Sequence, residues 1–173
     1  FAFDVYLPAL INLGIKKILI DKNQIFNKNK TNILYKYKDY IEYFNDKFYR
    51  DRIIDYTILS VSPSMQYNLL LDNNFFEHTK TLILEKPLAP SPIKALEILK
   101  KLEKISSKYI INYSFRYTLW FKDISDRIKS LPKNVELFFI WKFMARHFIH
   151  ERKTWKRLHF EGGGAIRFYG IHL

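Results

Sequence analysis

Short runs of apolar and β-branched residues at positions 17–20, 56–61, 81–84, 109–111 and 135–141 are too brief for helices and read as strands. The runs TILSV and TLILE are apolar at consecutive positions instead of alternating, the pattern of strands covered on both faces in a parallel sheet. Between them the spacing turns helical. Ala95, Ile98, Leu99, Leu102 and Ile105 share one face, with Lys94, Lys100, Lys101 and Lys104 mostly elsewhere. Ser91 followed by Pro92 marks the start of this helix: the serine oxygen caps exposed amides, and proline in the first turn loses no hydrogen bond. Ser62 and Pro63 repeat the device after an earlier strand. The order strand, turn, helix, strand, turn, helix predicts an α/β fold, a Rossmann-like doubly wound parallel sheet whose ligands bind beyond the carboxyl ends of the strands.

The N-terminal stretch FAFDVYLPALINLGIKK is not preceded by the strand and Gly-x-Gly-x-x-Gly turn that open a dinucleotide site. Residues 1–13 therefore read as the first helix, with Leu7, Leu10, Ile11 and Phe3 toward the sheet. Asp21 then ends the second strand, where an acidic residue bonds the adenosine ribose in NAD-preferring sites; the alternative is an ordinary turn residue. Lys22 beside it suits a 2′-phosphate, so NADP stays open. The polar patch at positions 22–30 reads as a surface loop.

Composition narrows the classes. The 173 residues are 48% hydrophobic, enough for a real core. No run of about 18 uncharged apolar residues occurs, and the first residues lack the basic region and cleavage site of a secretory signal, so the expectation is a cytoplasmic protein without membrane partners. The absence of cysteine excludes disulfides, a thiol nucleophile and cysteine-based zinc sites. The net charge of +12 comes from lysines spread through the chain beside Asn, Ile, Tyr and Phe, the residues of A- and T-rich codons, and does not form a nucleic-acid footprint. The dense basic segment at 141–160 holds His147, His150 and His159, but their spacing, with Glu151 as the one nearby carboxylate, is not that of a metal site.

Taken in order, IDYTILSVSP (54–63), LILEKPLAPS (82–91), INYSFRY (111–117) and EGGGAIRFYGIHL (161–173) resemble the Gfo/Idh/MocA family of nicotinamide-dependent sugar oxidoreductases. The shared features are an acidic residue ahead of a Ser-Pro turn, a Glu-Lys-Pro ending the next strand, an Asn after the following one, and a Gly-Gly-Gly run leading to a histidine. The resemblance implies a dinucleotide-binding domain over residues 1–113 and the start of an α+β substrate and oligomerisation domain over 114–173, both truncated. It places NAD, with NADP possible, near Asp21, Ser62, Pro63, Glu85, Lys86 and Asn112. It makes Lys86 and His172 the catalytic pair and implies a cis bond before Pro87. The chemistry is sound in itself: oxidising a secondary alcohol needs a group to take the hydroxyl proton, and an ammonium beside the oxygen stabilises its developing charge. Lys86, Trp155, Lys156, Arg157 and His172 are the expected substrate contacts, for a sugar or nucleotide-linked sugar. Basic groups there suit an anionic one. The complete protein is expected to form a homo-oligomer, with a role in carbohydrate metabolism.

Two positions depart from the family. Four residues before His172, where the family has Asp on the same helical face, this chain has Phe168. Tyr67 stands where a histidine is common. Gly162, Gly163 and Gly164 read either as a close backbone approach to a ligand or as a flexible turn. The competing reading is a catalytically silent dinucleotide- or sugar-binding relative, or a non-functional fragment, with the stretch 135–143 an unpaired, sticky strand.

Overall fold

The expected strand, turn, helix order is present. The computed structural model describes residues 5–15, 18–21, 34–37, 53–72, 78–136, 138, 140–142 and 144–172, with backbone alone at 18–21, 34–37 and 172. The chain divides into two units, Phe1–Ile54 and Asp55–Leu173.

In the first unit, helix α1 spans Leu7–Asn12, with Pro8 in its first turn. Gly14, at φ 70°, closes it and lets the Ile15 N–H reach back to the Leu10 carbonyl at 3.1 Å. The helix is shorter than the expected 1–13. Leu7 and Leu10 are half-buried, Ile11 is exposed, and Phe3 lies outside the described residues. Strand β1, Ile18–Asp21, pairs in parallel with β2, Leu34–Tyr37, in the register Ile18 with Leu34 through Asp21 with Tyr37. β2 was not expected, although Tyr35 and Tyr37 alternate with Lys36 and Lys38 in the two-residue period of a strand. The patch at 22–30 lies outside the described residues.

The second unit carries strand β3 (Ile54–Leu59), helix α2 (Pro63–Leu71), strand β4 (Thr79–Leu84), helix α3 (Pro92–Leu102) and strand β5 (Lys108–Ile111). The strands form a three-stranded parallel sheet in the order β3-β4-β5, flanked by helices. β4 runs beside β5 from Thr81 with Lys108 to Leu84 with Ile111, and the Asn112 N–H extends the ladder to the Leu84 carbonyl at 2.8 Å. The core contains Leu59, Leu70, Leu82, Leu84, Ile98 and Leu102. Leu82 and Leu84 are fully buried while Ile83 between them is half-buried, and Tyr56, Lys80 and Ile110 are exposed, so the second face of this sheet is covered only in part. On α3, Ile98 and Leu102 point into the core as the spacing predicts; the helix ends before Ile105. Both serine caps form: Ser62 Oγ accepts from the Met65 N–H at 3.4 Å and Ser91 Oγ from the Lys94 N–H at 3.3 Å.

After a 3-10 turn at Ser114–Tyr117 comes helix α4, Leu119–Lys129. None of the described residues of the expected strand at 135–141 is in a strand, and Val135, Phe138 and Ile140 are exposed. A β-branched run becomes a strand only where another strand completes its hydrogen bonds. From there on the chain makes single turns at Arg146–Ile149, Trp155–Arg157, His159–Glu161, Ala165–Tyr169 and Gly170–His172. Among the described residues no helix is long and apolar enough to cross a membrane.

Candidate functional site

The carboxyl ends of the three strands present Ser62, Glu85 with Lys86, and Asn112, each half-buried and therefore reachable from solvent. The turn after β4 holds the centre of the arrangement. Lys86–Pro87 is a cis peptide bond, as the resemblance implies. The turn is held by a residue that had not stood out in the sequence. Gln66, on α2 and 1% exposed, donates from Nε2 to the carbonyls of Glu85 and Leu88 and accepts on Oε1 from the Glu85 N–H, each at 2.9 Å.

From this turn the Lys86 side chain reaches the C-terminal segment. Its Nζ donates to the Phe168 carbonyl at 2.5 Å and lies 3.8 Å from the centroid of the Phe168 ring. Burial pushes the Lys86 amine down from its usual 10.5 to about 8; the adjacent Glu85 opposes the shift, and the Lys156 ammonium adds to it. Lys156 Nζ lies 5.1 Å from the same ring centroid. Among the described residues neither lysine has an ion pair. Phe168 thus does not leave a gap where the family has a carboxylate. Its ring faces two cations, which a phenyl attracts through its quadrupole, and its carbonyl takes one of them as a hydrogen-bond donor.

An aromatic cluster supports this ring. Trp155 and His147 meet Phe168 edge-on, with centroids 5.5 and 5.6 Å away, and Tyr169 does so at 4.8 Å. His147 stacks on Tyr169 at 5.9 Å, with its Nε2 3.4 Å from the phenol oxygen. Burial, with Lys156 and Arg157 close by, holds the His147 imidazole below its usual 6.5, which favours its neutral form. Together with Gln66, His147 and Tyr169 are the residues of this site that sequence reading missed. The one signal for His147 is its place in the aromatic and basic segment at 141–160, whose Trp155, Lys156 and Arg157 are the expected substrate contacts.

The other expected residues divide. Trp155 and Lys156 sit on the turn Trp155–Arg157, whose start is capped by Thr154 Oγ1 accepting from the Lys156 N–H at 3.2 Å. Arg157 lies 5.6 Å from the centroid of the Phe148 ring, which itself packs on His147 with centroids 5.1 Å apart. Pro63 is buried. Tyr67 donates to Glu97 Oε2 at 2.7 Å, tying α2 to α3. Arg167 is occupied as well, donating to the carbonyls of Pro90 and His159 at 2.8 and 3.0 Å. Asp21 is the last residue of β1, and its side chain lies outside the described residues, as does that of His172.

Two local expectations are corrected. The four-residue spacing to His172 assumed a regular α-helix. The backbone instead makes a wide π-type turn at Ala165–Tyr169 and a tight 3-10 turn at Gly170–His172, so the spacing does not define a common face. The glycine run makes its close approach to the protein itself. A Cβ on Gly163 would lie 2.2 Å from the Trp155 carbonyl oxygen, and one on Gly162 would lie 3.1 and 3.2 Å from Cγ of Pro87 and Pro63. Gly162 and Gly164 also take φ of 91° and 89°, the left-handed values that glycine accommodates.

Comparison with protein-family models gives no match, and neither does comparison with curated protein sequences. Among solved structures the chain is similar to an NAD-binding protein from Listeria innocua, with 15% sequence identity and a TM-score of 0.52 over 80% of this chain. The aligned part is 39% of that protein, so the chain spans less than half the length of its structural neighbour. The likeness establishes the fold as Rossmann-like α/β.

Proposed function

We propose that the protein is a nicotinamide-dependent oxidoreductase of the Gfo/Idh/MocA type, exchanging a hydride with a secondary hydroxyl or ketone of a sugar or sugar derivative. The observation that carries this reading is Lys86: a half-buried amine, lowered to about 8, on a Glu-Lys-Pro turn at the carboxyl end of a parallel strand. A base poised near neutral pH takes a hydroxyl proton on oxidation. The same group as an ammonium donates it back on reduction and stabilises the alkoxide between. The fold supports cofactor binding at the same edge, where Ser62, Glu85 and Asn112 offer polar groups beyond three adjacent strand ends. A bound nicotinamide supplies the hydride chemistry. Asp21, ending β1, favours NAD. Trp155 offers a sugar-stacking face and Lys156 a cation for an anionic substituent, while His172 is the second proton carrier in this reading. Homo-oligomerisation belongs to the same proposal.

The experiment is NAD-linked turnover on a panel of neutral and acidic sugars. Lys86→Ala is expected to lose turnover by about a hundredfold or more, the usual worth of a general acid–base group, while keeping dinucleotide affinity. Equal turnover in the two proteins overturns the assignment of Lys86.

One observation favours a silent relative instead. The Phe168 ring and carbonyl together occupy the Lys86 ammonium that a substrate oxygen must reach. Phe168→Asp separates the readings: a large gain in turnover indicates eroded chemistry, and turnover already present in the wild type but unimproved indicates a site that works without the acid.

A further inference from the structure

Gln66 lies on a different element from Lys86, yet its carboxamide brackets the turn that carries the lysine. A side chain this buried costs free energy unless its polar atoms are bonded. Gln66 uses both amide hydrogens and one carbonyl lone pair, three of its four bonding positions. All three bonds go to backbone on either side of Lys86–Pro87: the N–H and carbonyl of Glu85 before it, and the carbonyl of Leu88 after it. These groups lie just past the end of β4, at the turn that carries the lysine. Pro87 has no N–H, so the turn cannot close on itself through that residue.

We propose that Gln66 is the positioning residue for Lys86: by holding the backbone before and after the lysine, it fixes where the Lys86 ammonium is presented at the strand end. Asparagine is too short to span the turn from α2, and glutamate keeps the acceptor but loses both donors. The part of this inference that concerns turnover rests on the oxidoreductase reading; the part that concerns the state of Lys86 does not.

The test is the pH dependence of acetic anhydride labelling of Lys86, quantified by peptide mass spectrometry against the exposed Lys133 as internal reference. Wild type is compared with Gln66→Met, which keeps length and removes every hydrogen bond, and with Gln66→Leu. Release of the turn hydrates the amine, so its titration midpoint in Gln66→Met is expected to rise by about one unit or more toward the ordinary lysine value of ~10.4. In parallel, kcat for alcohol oxidation is expected to fall about tenfold, with NADH affinity changed less than about twofold, the split expected of a misplaced catalytic group. A folded Gln66→Met whose Lys86 titrates as in the wild type overturns the proposal. If far-UV circular dichroism shows that Gln66→Met does not fold, Gln66→Leu, which removes the same hydrogen bonds without adding a charge, is read by the same criterion. Should the wild type show no NAD-linked turnover, the oxidoreductase reading fails, while the labelling midpoint still decides the role of Gln66.

Discussion

Lys86 gives up its proton early because it is withdrawn from water without a carboxylate bonded to it. Its folded value of about 8 lies below the unfolded one, so between about pH 8 and 10.5 the unfolded chain binds more protons and stability rises with pH. Below that window the buried charge is a standing cost. Urea unfolding at pH 7.5 and 9.5 checks the sign: the wild type should gain stability relative to Lys86→Met at the higher pH, and an equal response in both proteins would contradict it. In the proposed reaction the same titration governs alcohol oxidation, whose acid limb should have its midpoint near pH 8. Phe168→Asp places a carboxylate beside the ammonium, so that limb should move to higher pH; a limb that stays or falls argues against the contact. At this scale Lys86 stood out only through the family resemblance, because Glu-Lys-Pro after an apolar run reads by itself as a solvated lysine between strand and turn. Gln66 did not stand out. One glutamine in the first turns of a helix has no periodicity, and its meaning comes from a turn reached through a further strand. Phe168 was legible as a missing acid, but nothing in the sequence said that its ring and carbonyl would meet the lysine.

Capping and helical spacing carried well from sequence to structure, because both act within a few residues. Ser91→Ala should cost about 1 kcal/mol through loss of the α3 cap, and Ile98→Ala, at a fully buried position, about 2–5 kcal/mol. The glycine run makes a sharper comparison. Gly163→Ala forces a methyl against the 155–156 backbone and should cost about 3 kcal/mol or more, whereas Gly164→Ala meets open space and should cost only its glycine-favouring backbone of φ 89° and ψ 168°, about 1–3 kcal/mol. Chemical denaturation of the two variants ranks them; Gly164→Ala as the more damaging would contradict the packing role of Gly163. Elements whose form depends on distant partners were less legible. The 135–141 run has the composition of a strand, yet none of its described residues is paired as one, and residues 165–172 have the spacing of a helix but are wound as two different turns.

For the molecule as a whole, the succession of strand, cap and helix sufficed to predict a parallel α/β sheet, and the likeness to an NAD-binding structure at 15% identity bears out that architecture. Such a fold survives great sequence divergence because it needs only the apolar pattern and the caps, whereas a substrate site needs particular side chains. The chain spans 39% of that neighbour, and large apolar side chains such as Leu119, Phe138, Ile140 and Met144 are exposed on the second unit. The charge of +12 has no bearing on this architecture. In the proposed reading the strand ends beside Lys86 receive a nicotinamide dinucleotide. This is tested most directly by calorimetric titration of NADH into the wild type and Lys86→Ala. Saturable one-site binding of similar affinity in both is the predicted result, and the absence of binding to the wild type would contradict the account.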